Sequence, residues 1–141
     1  MYAESAEELG KIDATDSRNE NVLFLKYQLY SASGKWKLAR LATHRLTKLY
    51  PSAPVYWLAH AACARQLGSL DAAESILNAA RFLHPKDGPI WYALAACASI
   101  SGRLNEAREL ATRAIQFEPR LQKRFLQDPS MRAIQDEVSH Y

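Results

Sequence analysis

The sequence predicts an all-α fold, a helical solenoid of three helix–turn–helix repeats with an N-terminal half-repeat helix and C-terminal capping helices. Three observations carry the prediction. Gly34, Gly68 and Gly102 stand 34 residues apart, and Pro51, Pro85 and Pro119 keep the same step. Between them, small and apolar residues recur at helical spacing. A 34-residue period punctuated in this way marks helix pairs that stack on one another, each pair too thin to bury its apolar side alone.

The elements follow in order. One period before Trp36, Ala39, Thr43, Leu46 and Pro51 lie Tyr2, Ser5, Leu9, Ile12 and Ser17. Tyr2, Leu9 and Ile12 keep helical spacing, so residues 2–12 are expected as the second helix of a half-repeat spanning 2–18. An irregular acidic tail is the alternative. Repeat 1, residues 20–53, reads Leu23, Tyr27, Tyr30, Gly34, Trp36, Ala39, Thr43, Leu46 and Pro51. Repeat 2, residues 54–87, reads Trp57, Ala61, Ala64, Gly68, Leu70, Ala73, Leu77, Ala80 and Pro85. Repeat 3, residues 88–121, reads Trp91, Ala95, Ala98, Gly102, Leu104, Ala107, Ala111, Ala114 and Pro119. Alanines at 61, 73, 95 and 107 let paired helices approach closely. Glycine tolerates the turn after the first helix, and proline cannot continue the second. Phe125 starts a fourth repeat, but Pro129 stands where Ala61 and Ala95 stood, and a mid-helix proline costs about 3 kcal/mol. Residues 122–141 are therefore expected as a cap, with Ser130 starting a fresh helix through Val138. Leu121, Phe125, Leu126, Met131, Ile134 and Val138 would cover the last apolar stripe. The whole, residues 1–141, is expected to form a single domain.

From Asn19 to Pro119 these residues resemble the tetratricopeptide repeat, which has an aromatic early in the first helix, small residues at the crossing, glycine at the turn and proline at the end. Repeat 1 departs from the pattern, with Leu23 in place of tryptophan and Tyr27 in place of alanine. The resemblance implies a right-handed solenoid whose first helices line a concave face, and a function in protein–protein interaction.

Composition limits the other classes. Hydrophobic residues make up 48% of the chain, yet no apolar run approaches the roughly 20 residues that span a bilayer, so no membrane association is expected. The acidic start, Met1 to Glu8, lacks the basic and apolar regions of a signal peptide, which points to a cytoplasmic protein. Cys63 and Cys97 are also 34 apart and fall on equivalent positions. Packed helices sit about 8–10 Å apart, too far for the 4.4–6.8 Å that a disulfide requires. Two reduced, buried thiols and no metal site are expected. Net charge is +3, unevenly spread. Residues 1–20 carry six acids and two bases, whereas residues 21–70 carry seven bases and no acid.

Nothing points to catalysis. His44, His60, His84 and His140 have no carboxylate or nucleophile at a spacing that builds a catalytic group, and no Gly-rich phosphate loop appears. Neither an enzyme nor a cofactor is expected. Lys37, Arg40, His44 and Lys48 share one face of the second helix of repeat 1 and could meet phosphate by counterion release. The neighbouring Trp36 and Tyr50 sit at packing positions, not as base-stacking platforms. A solvated convex face is the expected reading, with nucleic-acid binding as the rival.

The resemblance places Phe24, Gln28, Leu58, Ala62, Arg65, Tyr92, Ala96 and Ser99 on the concave face, with Val55 and Ile100 beside them. The face is largely apolar, as befits a groove for a partner helix or extended segment anchored by Phe24, Leu58 and Tyr92. A second copy of the chain, giving a homodimer, is the other occupant considered. Some members of the family grip acidic chaperone tails with lysine, asparagine and arginine. Here those positions hold Phe24, Gln28, Ala59, Pro89 and Ala93, so that partner class is not expected. The expected function is a non-catalytic adaptor or scaffold, with a small secretion chaperone as the alternative layout.

Overall fold

The helices form where the period places them. A computed structural model describes residues 19–135, which hold α1 (Glu20–Ala32), α2 (Trp36–Leu49), α3 (Pro54–Gln66), α4 (Leu70–Leu83), α5 (Gly88–Ile100), α6 (Leu104–Phe117) and α7 (Leu121–Gln127), then a 3-10 turn at Pro129–Ile134. The described residues contain no strand. The expected half-repeat helix at 2–12 lies outside them, as do Val138 and His140.

Local chemistry sets the helix ends. Asn19 caps α1 by accepting the Val22 amide at 3.1 Å, and Asp87 caps α5 by accepting from Ile90 at 3.2 Å. Pro54 and Pro89 sit in the first turns of α3 and α5, where a missing N–H costs nothing. Each first helix ends the same way. Gly34, Gly68 and Gly102 adopt φ of 76°, 90° and 84°, the left-handed region where a Cβ is penalised. The next amide then reaches back to a helix carbonyl: Lys35 to Tyr30, Ser69 to Ala64 and Arg103 to Ala98. This closure satisfies carbonyls that the helix end would otherwise orphan. The prolines do more than stop the second helices. The indole N–H of Trp57 donates to the Pro51 carbonyl at 2.9 Å, and that of Trp91 to the Pro85 carbonyl at 2.8 Å.

The described chain divides into two compact units, one ending at Ser69 and the other starting at Leu70. The boundary falls inside the second repeat, between α3 and α4. In the first unit α2 packs against both α1 and α3. Leu23, Leu46 and Tyr56 form its core, with Phe24, Tyr50 and Ala53 against them. In the second unit α5 packs between α4 and α6, and α7 and the 3-10 turn close over α5 and α6. Ala73, Leu77, Ala80, Ala107, Ala111 and Ala114 are fully buried, so the apolar stripes read from the period face inward.

Gly88 shows how tightly the second unit is packed. A Cβ there would lie 2.9 Å from the Glu118 Cβ and 3.1 Å from the Ala114 carbonyl oxygen. The start of α5 thus rests directly on the end of α6. Gly88→Ala is expected to cost about 1–3 kcal/mol by overpacking, read as a lower urea midpoint for the second unit. An unchanged midpoint would mean that the contact relaxes freely.

The C-terminal cap differs from expectation in three ways. Asp128, not Ser130, is the cap residue, accepting from the Ser130 amide at 3.0 Å and hydroxyl at 2.7 Å. The segment it starts is a 3-10 turn over Pro129–Ile134, because Asp-Pro-Ser favours a tight turn at its first step. Leu126 is 46% exposed and does not cover the stripe. Phe125, Met131 and Ile134 do, all fully buried.

Candidate protein-interaction surface

In the unit ending at Ser69, helical spacing puts Val55, Leu58, Ala62 and Arg65 on one side of α3, and Phe24 and Gln28 one turn apart on α1. Val55 is 54% exposed. Gln28, Ala62 and Arg65 are exposed, while Phe24 and Leu58 are half-buried. Phe24 is held by its ring contacts with Tyr27 at 5.9 Å and Tyr56 at 5.8 Å. Tyr56 is fixed in turn, its hydroxyl donating to Glu20 at 2.9 Å. Burial and the Glu20 bond push the Tyr56 phenol up to about 12, so it stays a neutral donor.

The unit starting at Leu70 does not offer the face expected of it. Tyr92, Ala96 and Ser99 were expected to be exposed; they are 2%, 3% and 8% exposed. The cap that closes the last apolar stripe also lies over this side of α5. The Tyr92 hydroxyl donates to Asp128 at 2.5 Å, and the Arg124 guanidinium sits 4.7 Å from the Tyr92 ring centroid. Burial alone would raise the Asp128 carboxyl. The bonds from Tyr92 and Ser130, with Arg124 beside it, hold it below the usual carboxylate range. Burial and that anion push the Tyr92 phenol well above its ordinary value. Asp128 therefore serves twice, starting the turn and locking it to α5. Asp128-Pro129-Ser130 was the sequence signal for this arrangement, since aspartate before proline is a turn-and-cap pattern. Ile100, at the end of α5, remains 46% exposed.

Lys37, Arg40, His44 and Lys48 are all exposed along α2. Beneath them lies a buried polar cluster that the sequence did not announce. His60, 6% exposed, has Nδ1 2.8 Å from the Thr43 hydroxyl, which also lies 3.1 Å from the Arg40 carbonyl. The ring can donate to the hydroxyl while the hydroxyl donates to the carbonyl. Burial lowers His60 to about 4, helped by the nearby His44, Arg40 and Lys48 charges. The His44 ring centroid is 5.6 Å away. Cys63 and Cys97 are free and buried, and burial pushes the Cys63 thiol up, away from the reactive thiolate. No three of the described His, Cys, Asp and Glu residues cluster as metal ligands would. No described helix is long and apolar enough to cross a membrane.

Residues 54–97 match the tetratricopeptide repeat family model. That segment carries a tetratricopeptide repeat. Solved structures of this fold cover nearly all of the chain. A crystal structure of MamA superposes with a TM-score of 0.77 at 16% identity, over 99% of this chain and 84% of that one. MamA from Desulfovibrio magneticus RS-1, from residue 41 to its end, gives 0.74 at 16% identity, over 99% and 78%. The first tetratricopeptide domain of Spaghetti (RPAP3), solved with an HSP90 peptide bound, gives 0.68 at 22% identity, over 89% and 94%. No curated protein sequence matches the chain. At these identities the likeness is one of fold.

Proposed function

We propose that the chain is a non-catalytic protein-interaction module, an adaptor or scaffold, that takes a partner helix or extended segment on the α1 and α3 face of its first unit. The observation that carries this reading is the α3 surface: Val55, Ala62 and Arg65 stay open to solvent while Tyr56, Ala59, Ala61, Cys63 and Ala64 of the same helix are buried. Ala62 keeps the surface low enough for a partner backbone to approach, Leu58 and Phe24 supply partly sunken apolar anchors, and Arg65 and Gln28 supply polar contacts at the rim. The Spaghetti domain holds its peptide on the same fold, which supports peptide capture as a use of this frame. The lysine and asparagine positions of an acidic-tail grip are filled here by Phe24, Gln28 and Ala59, so a mainly apolar partner segment fits better. Tyr92, Ala96 and Ser99 lie under the cap and supply no contact surface while it is closed.

The test uses the tagged full chain and its Leu58→Asp, Ala62→Arg double variant in parallel pull-downs from native lysate. Partners retained by the parent should fall at least about ten-fold in the variant, with helicity unchanged. Equal recovery would end the groove reading. A control variant, Lys37→Glu with Lys48→Glu, should keep the partner. If it loses the partner instead, or if the parent recovers nucleic acid, the function belongs to the basic face.

A further inference from the structure

The tryptophan of the third repeat keeps different company from its counterpart in the second. The Trp91 indole is pinned by its N–H bond to the Pro85 carbonyl and by the Phe117 ring, 5.8 Å away between centroids. Two guanidiniums share that indole. Arg81 of α4 lies 5.0 Å from the ring centroid and Arg113 of α6 lies 5.7 Å from it, both within cation–π range. One period earlier the tryptophan is Trp57 and the two arginines are Thr47 and Ala79, so the arginine pair is no part of the repeat pattern. Stacking uses the flat face of a guanidinium and leaves its N–H edges free to donate. Among the described residues neither guanidinium meets a carboxylate: Asp87 caps α5 and Glu118 holds Arg120. Two like charges gathered on one ring favour an anion beside them. Phe82 adds a second departure. It follows Arg81 in the last turn of α4 and is 85% exposed, whereas its counterparts at the 34-residue step are the polar Lys48 and Gln116.

We propose that Arg81 and Arg113, gathered on Trp91, clamp the phosphoryl group of a phosphorylated peptide segment, with Phe82 as the seat for an apolar side chain beside the phosphoresidue. The chemistry of the guanidiniums selects the group. Their two forks present more donors than the two oxygens of one carboxylate use well, whereas a phosphate monoester brings three terminal oxygens and nearly two negative charges at neutral pH. Stacking on the indole sets the guanidinium planes before the ligand arrives, which lowers the ordering cost of binding. The surroundings select a compact anion over an extended one. Arg81 and Arg113 lie toward the ends of α4 and α6, with Lys86 exposed just after Pro85. Toward the starts of the same two helices the exposed charges are Asp71, Glu106 and Glu109. A nucleic-acid strand needs a basic track and an anionic membrane a broad basic face, and these acids interrupt both. The clamp lies within the second unit and shares no residue with the α1 and α3 face, so this proposal and the interaction reading fail separately.

The experiment follows the indole N–H signal of Trp91 by NMR in the full chain, titrated with a short blocked peptide that carries phosphoserine between two phenylalanines. The signal is expected to shift saturably, at about 1 mM peptide or below. The same peptide with glutamate for phosphoserine should bind about ten-fold or more weakly, and with plain serine it should leave the signal still. Arg81→Lys with Arg113→Lys keeps both charges, removes both forks and should weaken the phosphopeptide about ten-fold or more. Arg113→Lys alone, at an exposed position, should weaken it with helicity and urea midpoint unchanged. A Trp91 signal that the phosphopeptide does not move overturns the proposal. So does a glutamate peptide that binds as tightly, or a pair of lysines that binds like the parent. Oligouridylate or phosphatidylserine vesicles that bind here more tightly than the phosphopeptide overturn it too, making a nucleic acid or a membrane the ligand.

Discussion

Replacing Phe125 with alanine is expected to lower the stability of the C-terminal unit by about 3–5 kcal/mol, the usual cost of emptying a large buried aromatic site. Phe125 is fully buried, as are Met131 and Ile134 beside it in the cap. The seven residues of α7 are too few to hold a helix by backbone bonds alone. Its order depends on this ring and on three polar ties: Tyr92 to Asp128, and the Gln135 amide to the Phe125 and Asp128 carbonyls at 3.0 and 2.7 Å. Losing the ring should therefore open the cap as a piece and uncover Tyr92 and Ala96. Guanidinium unfolding would show the lost stability, and an apolar dye would report the bared face. Tyr92→Phe is the milder partner variant. It deletes the bond to Asp128 and leaves the carboxylate with its Ser130 donors, at an expected cost of about 1 kcal/mol. If Phe125→Ala unfolds at the parent midpoint, the cap contributes nothing to the unit and this account of it is wrong.

Acid is expected to weaken the first unit through His60. The ring is neutral in the folded chain because burial and the His44, Arg40 and Lys48 charges lower it to about 4, against 6.5 for a free histidine. Between those values the unfolded chain binds a proton that the folded chain refuses, so stability falls as pH falls. The contribution is whole above about pH 6.5, is lost as pH drops toward 4, and levels off below that. Discounted for solvent screening, it is about 2 kcal/mol. His60→Leu places at 60 the residue type that stands at Leu94, and Thr43 keeps its Arg40 carbonyl partner. Urea midpoints at neutral and mildly acidic pH should therefore separate less in the variant than in the parent. An equal acid loss in both would exonerate His60 and shift the cause to the carboxylates.

Much of this molecule was legible because a 34-residue period is a local signal repeated. Each of Gly34, Gly68 and Gly102 reads as a turn by itself, and each agrees with the other two. The tryptophan–proline pairs, the alanine crossings and the buried, equivalent Cys63 and Cys97 follow from the same register. The candidate surface was legible only in part. For Ala62 and Arg65 the face of a single helix decides exposure, and the register supplies it. For Tyr92, Ala96 and Ser99 exposure depends on what a non-periodic tail does about 36 residues later. No register extends to Asp128, so the sequence reading left those positions open when they are covered. The burial of Lys26 and His60 was not legible for a related reason: polar residues at inward positions are tolerated only when their surroundings satisfy them.

By itself, then, the sequence determined the helix boundaries, the turns and the inward stripes, because these rest on residue type at fixed spacing along one helix or one turn. Only the tertiary structure decided which first-helix positions stay open, that Asp128 rather than Ser130 holds the cap, and that His60 sits neutral beneath a basic surface. Those outcomes rest on burial and on hydrogen bonds between segments far apart in the chain, where water is excluded and the partners are chosen by packing, not by spacing.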